Sequence, residues 1–129
     1  MKKQFFKNFK ASEVSSFERK QAEYILKSYF FYKNKDTPFL GYSRARLYDK
    51  NNNVIPDIED DLISKIDKAF KVLAERAPFS QIILTEMYRN NESVQSICSR
   101  YKLSLNQCYY WRKNGLAYIY KEALTSNEN

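Results

Sequence analysis

The sequence predicts an all-α fold. The chain has 129 residues but only two glycines and three prolines, well below ordinary usage, in which glycine alone makes up about 7%. Tight turns and strand ends depend on these residues, so a sandwich, a barrel and a glycine-rich phosphate loop are disfavoured. Long segments without helix-breaking residues, in which apolar side chains recur near the helical period, favour helices instead.

A long helix is predicted over residues 13–32, which contain no glycine or proline. Ser15 followed by Glu18 has the spacing of a capping box, although Ser12 competes as the N-cap residue. Apolar side chains recur near the helical period through this segment. The expected inward stripe comprises Val14, Phe17, Tyr24, Ile25 and Phe31.

Residues 34–56 have the composition of a loop, with two prolines, one glycine and three consecutive asparagines. A loop of this length predicts a division of the chain into two parts. Residues 1–56 are expected to form a basic and aromatic N-terminal helical arm with its loop. Residues 57–129 are expected to form a helical domain.

Four helices are predicted in the second part. Asp57 is a favourable N-cap residue, and the acidic residues after it suit the positive end of a helix dipole. The inward stripe of this helix comprises Leu62, Ile66, Ala69 or Phe70, and Leu73. Pro78 ends it, and a second helix follows over residues 79–89. The inward side of that second helix comprises Phe79, Ile82, Ile83 and Met87. Two further helices are predicted over residues 93–101 and 105–123.

Residue types on which most enzymes depend are scarce in this chain. There is no histidine, which removes the common acid–base pairs, nucleophile triads and histidine-containing metal sites. Cys98 and Cys108 are too few for a four-cysteine zinc site and occupy expected core positions. The acidic run at residues 57–61 fits helix-dipole complementarity better than a metal site. We therefore predict no enzymatic activity, no metal and no cofactor.

No segment has the properties of an export signal or of a membrane span. The basic residues at the start of the chain are not followed by the apolar core of a signal peptide. No apolar run approaches the roughly 20 residues that cross a bilayer. Two cysteines do not indicate a disulfide framework, which favours a reducing compartment. We therefore predict a cytoplasmic protein without a membrane partner.

The net charge of +7 favours a polyanionic partner such as nucleic acid. An A/T-rich genome can explain part of this excess, because A/T-rich codons encode lysine. Residues 1–35 carry a net charge of +6 and residues 79–129 carry +2, whereas residues 57–78 carry −2. Three phenylalanines near the start interleave with lysines. That segment is open to several interpretations: an arm that touches RNA or a membrane, an oligomer contact, or a disordered tail.

Residues at about 93–118 have the organisation of a helix-turn-helix. Such a unit needs a short first helix, a turn of three or four residues, and a second helix that offers one face to the major groove of DNA. Ser104 with Gln107 gives the second helix a capping box, while Lys102 stands in the turn where glycine is frequent. Cys98 is the small residue expected where the two helices cross. The expected packing core comprises Ile97, Cys98, Tyr101, Leu103, Cys108 and Trp111.

The outward face of the second helix favours a DNA-binding unit over a plain helical hairpin, which has similar apolar spacing. Residues 104–113 contain no aspartate or glutamate, whereas a merely solvated helix face usually contains them. Asparagine can read adenine through two hydrogen bonds, and lysine and tyrosine can hold phosphates. The predicted DNA-binding residues are Ser104, Leu105, Asn106, Gln107, Tyr109, Tyr110, Arg112 and Lys113.

Residues 79–124 also resemble the C-terminal part of the ArpU/RinA-type phage regulators, a domain similar to region four of bacterial sigma factors. The resemblance rests on the segments FSQIILTEMY, SICSRYKLS and CYYWRKNGLAYIYKEAL and covers about one third of the chain. It implies a C-terminal bundle like that of sigma region four, with the recognition element from Ser104 to Lys113. It also implies activation of phage late genes, which serve packaging, structure or lysis.

The sequence thus predicts a sequence-specific, double-stranded DNA-binding transcription regulator. Two alternatives stay open. Within the DNA-binding class, a phage terminase small subunit also uses a basic helix-turn-helix. Outside it, an interaction module would bind RNA polymerase, or another phage or host protein, without DNA. Assembly into a homo-oligomer is a further open point.

Overall fold

The computed structural model describes residues 9–34, 47–48, 54–55 and 60–125. Five α-helices make up most of these residues, so the predicted all-α class is confirmed. Within the predicted loop, a two-residue antiparallel ladder pairs β1 (Leu47–Tyr48) with β2 (Val54–Ile55). The predictions for the aromatic start of the chain and for a cap at Asp57 lie largely outside the described residues.

Helix α1 spans Ser16–Asn34 and follows a short 3-10 turn at Ala11–Glu13. The capping box predicted at its start is present. The backbone N–H of Ser15 donates to Glu18 Oε1 at 2.9 Å, and the backbone N–H of Glu18 donates to Ser15 Oγ at 3.1 Å. These bonds satisfy two donors that the first turn of a helix leaves without an intrahelical acceptor.

The inward face of α1 differs from the predicted stripe. Val14 is buried and Ile25 is half-buried, but Phe17, Tyr24 and Phe31 are exposed. The buried apolar side chains of α1 are Ala22, Leu26, Tyr29 and Phe30. These four also recur at helical spacing, so the sequence contains two competing apolar stripes. The bundle buries the one that contains the small residue Ala22, because a small side chain allows neighbouring helices to approach closely.

Helices α2 (Asp60–Arg76) and α3 (Pro78–Tyr88) follow one another with a single residue between them. Pro78 begins α3, where its missing N–H costs nothing. In α2 the predicted Ile66, Ala69 and Leu73 are buried. In α3 only Ile83 of the predicted set is fully buried. The side chains that this helix buries are Ser80, Ile83, Leu84 and Tyr88.

Helix α4 spans Val94–Tyr101 and helix α5 spans Leu105–Ile119. The chain continues from α5 into a π-helical turn at Tyr120–Leu124. The predicted boundaries of these two helices agree with the structure to within a few residues. Helix α5 is the most deeply buried element: Cys108, Trp111, Asn114 to Ala117, and Ile119 all lie in the interior.

A single hydrophobic core joins all five helices. Helix α1 contributes Leu26 and Phe30 to this core, and Tyr29 stacks on Phe70 of α2 with 5.8 Å between ring centroids. The Tyr29 hydroxyl also donates a hydrogen bond to Asp67 of α2. The helix of the predicted N-terminal arm is therefore packed against the helical domain rather than set apart from it.

Helices α3 and α5 approach closely at two small residues, Ser80 and Gly115. The Ser80 hydroxyl donates to the backbone carbonyl of Trp111 at 2.7 Å. A Cβ atom on Gly115 would lie 3.1 Å from Ser80 Cβ and 3.0 Å from Leu84 Cδ1, which is tighter than ordinary packing. Glycine at this position therefore sets the distance between the two helices.

Candidate nucleic-acid interface

The α4–α5 unit (Val94–Ile119) contains a three-residue turn from Lys102 to Ser104. Lys102 adopts the left-handed backbone conformation, with φ of 57°. This conformation is less favourable for lysine than for glycine, which is the usual residue at such a turn. The backbone N–H of Leu103 donates to the Cys98 carbonyl at 3.0 Å and closes the end of α4. The turn is thus well defined even without glycine.

Both helices of the unit begin at serine caps. The Ser93 side chain accepts a hydrogen bond from the N–H of Ser96 at the start of α4. At the start of α5, Ser104 Oγ accepts from the N–H of Gln107 at 3.1 Å, and Gln107 Oε1 accepts from the N–H of Ser104 at 2.9 Å. Two of the predicted DNA-binding residues therefore also hold the first turn of α5 in place.

The residues predicted to form the packing core of the unit lie on its inward side. Ile97, Cys108 and Trp111 are buried. The remaining three are half-buried and pack against the same core: Cys98, Tyr101 and Leu103.

The two thiols lie together where α4 and α5 meet. The Cys98 thiol donates to the Ser104 carbonyl at 3.7 Å. Burial, together with the neighbouring Cys98, raises the pKa of Cys108 to about 11. The Cys108 thiol is therefore protonated at neutral pH and behaves as a small apolar group.

The exposed face of α5 contains four of the predicted residues. Leu105 is 48% exposed and Tyr109 is 47% exposed, and Asn106 and Lys113 are exposed as well. Their spacing along the helix places them on one side. Helix α5 contains no acidic residue. We call these four residues, Leu105, Asn106, Tyr109 and Lys113, the α5 outer face.

Two further predicted residues lie at the border of this face. Tyr110 is half-buried and packs edge-on against Trp111, with 5.0 Å between ring centroids. Gln107 is half-buried beside its cap. Both flank the α5 outer face rather than project from it.

Arg112 does not belong to the α5 outer face, because its guanidinium is engaged inside the bundle; its contact with DNA stays a prediction. Its Nη2 lies 3.2 Å from Glu23 Oε2 of α1, and its Nε donates to the Tyr88 hydroxyl of α3 at 3.1 Å. The Tyr88 hydroxyl in turn donates to Glu23 Oε2 at 2.8 Å. Arg112 thus joins three helices. The carboxylate that pairs with Arg112 is Glu23, which is distant in sequence, so local spacing could not predict this role.

A second polar cluster, which no local sequence pattern predicts, engages Arg100 of α4. Its guanidinium lies 3.2 Å from Glu86 and 3.3 Å from Glu92. The Tyr101 hydroxyl donates to Glu86 at 2.9 Å. These contacts tie α4 to the end of α3. Arg100 is therefore paired with carboxylates of the bundle. By contrast, Lys102 is an exposed cation beside the α5 outer face, and Lys113 is an exposed cation on it.

The cluster around Glu86 predicts a pH dependence of stability. Hydrogen bonds from Asn90 and then Tyr101 hold the pKa of Glu86 below its usual value of 4.5. A carboxyl with a lowered pKa in the folded state contributes stability at neutral pH, and this contribution is lost as the pH falls through the folded-state pKa. We expect Glu86→Gln to lower the free energy of unfolding at pH 7. The deficit relative to the parent should shrink below about pH 4.5.

Urea unfolding of both proteins at several pH values measures this effect. Glu75→Gln, at an exposed position of α2, serves as the control and should follow the parent throughout. A deficit for Glu86→Gln that stays constant from neutral to acidic pH would contradict the assignment of Glu86 as an ionised acceptor.

The described residues define an all-α bundle in which one helix pair presents an exposed face without acidic side chains. Comparisons with family models, with curated proteins and with solved structures find no match to this chain. None of the described helices combines the length and the apolar character needed to cross a membrane. Among the described residues, no group of three or more histidine, cysteine, aspartate or glutamate side chains is placed to hold a metal ion.

Proposed function

We propose that this chain is a sequence-specific regulator of transcription that binds double-stranded DNA through the α5 outer face. The observation that carries the proposal is the face itself: an exposed asparagine, tyrosine and lysine on a capped helix without acidic residues. Its position after a short helix and a three-residue turn supports a helix-turn-helix that inserts α5 into the major groove.

The residues of the face divide between two roles in this proposal. Asn106 lies in the first turn of α5, the part of a recognition helix that approaches base edges, and its amide can both donate to and accept from adenine. Lys113 lies two turns later, where such a helix leaves the groove and nears the phosphates. Lys102, exposed in the turn, adds a second phosphate contact.

The resemblance of residues 79–124 to ArpU/RinA-type regulators extends the proposal to a biological role. By that resemblance, the chain activates phage late genes in the cytoplasm of the host, and RNA polymerase is the second partner. The sign of regulation and the polymerase contact rest on the resemblance alone.

Recovery of bound fragments from sheared phage and host DNA, followed by duplex binding at several salt concentrations, tests the proposal. Arg100 and Arg112 are held in ion pairs, so we expect two to three phosphates to be neutralised. The logarithm of the association constant should then fall with the logarithm of salt concentration with a slope of about −2 to −3 per chain. Absence of duplex binding at low salt would overturn the proposal.

Substitutions of Asn106 and Lys113 separate base reading from phosphate anchoring. Asn106→Ala should cost about 1–2 kcal/mol of binding free energy on the recovered site and little on a scrambled duplex. Lys113→Ala should weaken both duplexes equally and reduce the salt slope by about one. Competition binding against both duplexes at two salt concentrations measures the difference. Equal losses for Asn106→Ala on both duplexes would move the reading role to another residue of the face, with Tyr109 the first to test.

The exposure of Leu105 and Tyr109 supports a second candidate function. Two large apolar side chains on one exposed helix face are also typical of a protein interface. In that case α5 would bind a protein, and Leu105→Ser would abolish that complex. The parent would then bind duplex DNA only weakly, and Lys113→Ala would not change that binding.

A further inference from the structure

A second exposed face lies on α1, apart from the α5 outer face. Phe17 is 68% exposed, Tyr24 is 53% exposed and Phe31 is 37% exposed. These residues recur at every seventh position, and seven residues are close to two turns of helix, so all three lie on one side of α1. That side is opposite the face that packs into the core through Leu26. Large aromatic side chains are thus presented to solvent in a regular row.

An open groove of about 480 Å³ runs beside this row, between α1 and the π-helical turn that follows α5. Apolar side chains from both elements line much of it. The residues that line the groove are Lys20, Gln21, Tyr24, Ile25, Tyr120 and Leu124. Tyr24 belongs to both the row and the groove, so the two form one continuous surface.

The charge on this surface is positive. Lys20 and Lys27 are exposed, and each lies three residues after an aromatic side chain of the row. One of the two carboxylates in this stretch of α1 is engaged elsewhere, because Glu23 binds Arg112 at 3.2 Å. Glu18 accepts from the N–H of Ser15 at 2.9 Å and from the hydroxyl of the groove residue Tyr120 at 3.3 Å, so two lysines stand beside one carboxylate at this surface. We call the surface formed by Phe17, Lys20, Tyr24, Lys27 and the groove the α1 docking face.

We propose that the α1 docking face binds an acidic amphipathic helix of a partner protein. Apolar side chains at successive turns of such a helix would pack on Phe17 and Tyr24 and enter the groove, which is the helix-in-groove mode of recognition. Its glutamates or aspartates would pair with Lys20 and Lys27. This surface shares no residue with the α5 outer face, so the proposal does not depend on DNA binding.

The chemistry of the face favours this occupant over two others. A second copy of the chain would bring together two lysines from each copy with only Glu18 from each to offset them, because Glu23 is paired with Arg112 within each copy. A single nucleic acid strand would offer phosphates to the lysines and bases to Tyr24. It has no aliphatic side chain for a groove lined by Ile25 and Leu124.

Synthetic peptides of defined charge test the proposal with the full chain. The probe is a labelled peptide of about three heptads with leucine at the a and d positions and glutamate elsewhere. Its counterpart has lysine in place of glutamate. We expect the glutamate peptide to bind at least about tenfold more tightly than the lysine peptide, as measured by fluorescence anisotropy. Tyr24→Ser should weaken binding of the glutamate peptide by about tenfold, since Tyr24 joins the aromatic row to the groove.

Reversing the charge of Lys20 and Lys27 should reverse the preference of the chain between the two peptides. The double variant Lys20→Glu, Lys27→Glu should lose the glutamate peptide and gain the lysine peptide. Leu105→Ser on α5 is the matched control, because it also removes an exposed apolar side chain, and it should leave peptide binding unchanged. Circular dichroism establishes that each variant is folded. If the chain does not bind a DNA duplex but the peptide results are as expected, the proposed function is contradicted and the α1 docking face is still supported.

Three results would overturn the proposal. One is a lack of charge selectivity: either the glutamate peptide does not bind, or the parent and the charge-reversed chain each bind both peptides equally. Another is concentration-dependent dimerisation that Tyr24→Ser abolishes, which would assign the face to a second copy. The third is tighter binding of single-stranded oligothymidylate than of the glutamate peptide, provided that Tyr24→Ser abolishes the binding of oligothymidylate. That result would assign the α1 docking face to nucleic acid.

Discussion

Replacement of Trp111 by alanine is expected to lower the free energy of unfolding by about 3–5 kcal/mol, as is typical for truncation of a buried tryptophan. Trp111 is only 9% exposed and contacts the rings of Tyr110 and Phe79, with centroids 5.0 Å and 6.1 Å away. Its backbone carbonyl accepts the hydrogen bond from Ser80. The side chain therefore fills the space between α5 and α3, and its loss leaves a cavity that the helices cannot close.

Thermal and urea unfolding measure the effect. The control is Tyr109→Ala, two residues away on the exposed side of the same helix, for which a change within about 0.5 kcal/mol is expected. An unchanged melting temperature for Trp111→Ala, with duplex binding lost, would mean that Trp111 faces outward and contacts DNA.

Arg112→Met is expected to lower the free energy of unfolding by about 2–3 kcal/mol. Loss of one partner from a fully buried ion pair costs about 3–5 kcal/mol, and loss from an exposed pair costs less than about 1 kcal/mol. The Arg112 and Glu23 side chains are 28% and 22% exposed, so an intermediate value applies. The methionine keeps the apolar stem of the arginine and leaves Glu23 without its cation.

A double-mutant cycle isolates the interaction. Adding Glu23→Gln to Arg112→Met should cost less than the sum of the single changes, because the second change removes the carboxylate that the first left unpaired. Lys113→Met, at the exposed neighbouring position, is the matched control and should leave stability unchanged. If Arg112→Met reduced duplex affinity and the salt slope but not stability, Arg112 would be a phosphate contact after all.

The elements of this fold could be predicted from local sequence signals. Proline at the start of α3, serine caps at α4 and α5, and the Ser15–Glu18 box at α1 each act within one turn of helix. The choice of buried face was less predictable. In α1 two apolar stripes are available, and only the packing of the other helices decides that Leu26 is buried and Phe17 is exposed.

The exposed side of α5 could likewise be predicted from local spacing, whereas the long-range partners of its residues could not. The exposed position of Asn106 and Lys113 follows from helical spacing once Trp111 is placed inward. Spacing alone cannot tell whether an arginine at the border is free or paired. Arg112 finds its partners on α1 and α3, at Glu23 and Tyr88, and such long-range pairs leave no local pattern.

The close approach of Ser80 and Gly115 has a mechanical consequence for the opposite end of α5. Leu105 lies ten residues before Gly115, which corresponds to about 15 Å of helix. From residue 105 to residue 110 only Cys108 is buried, so this part of α5 projects from the anchored remainder of the helix. A tilt of about 5° at the pivot would displace Leu105 by about 1.3 Å. The range of donor–acceptor distances that a hydrogen bond tolerates is only about 0.5 Å wide. In the proposed DNA complex, the orientation of Asn106 therefore depends on two small residues that lie outside the α5 outer face, Ser80 and Gly115. A larger residue at either position would redirect that face without altering any of its atoms.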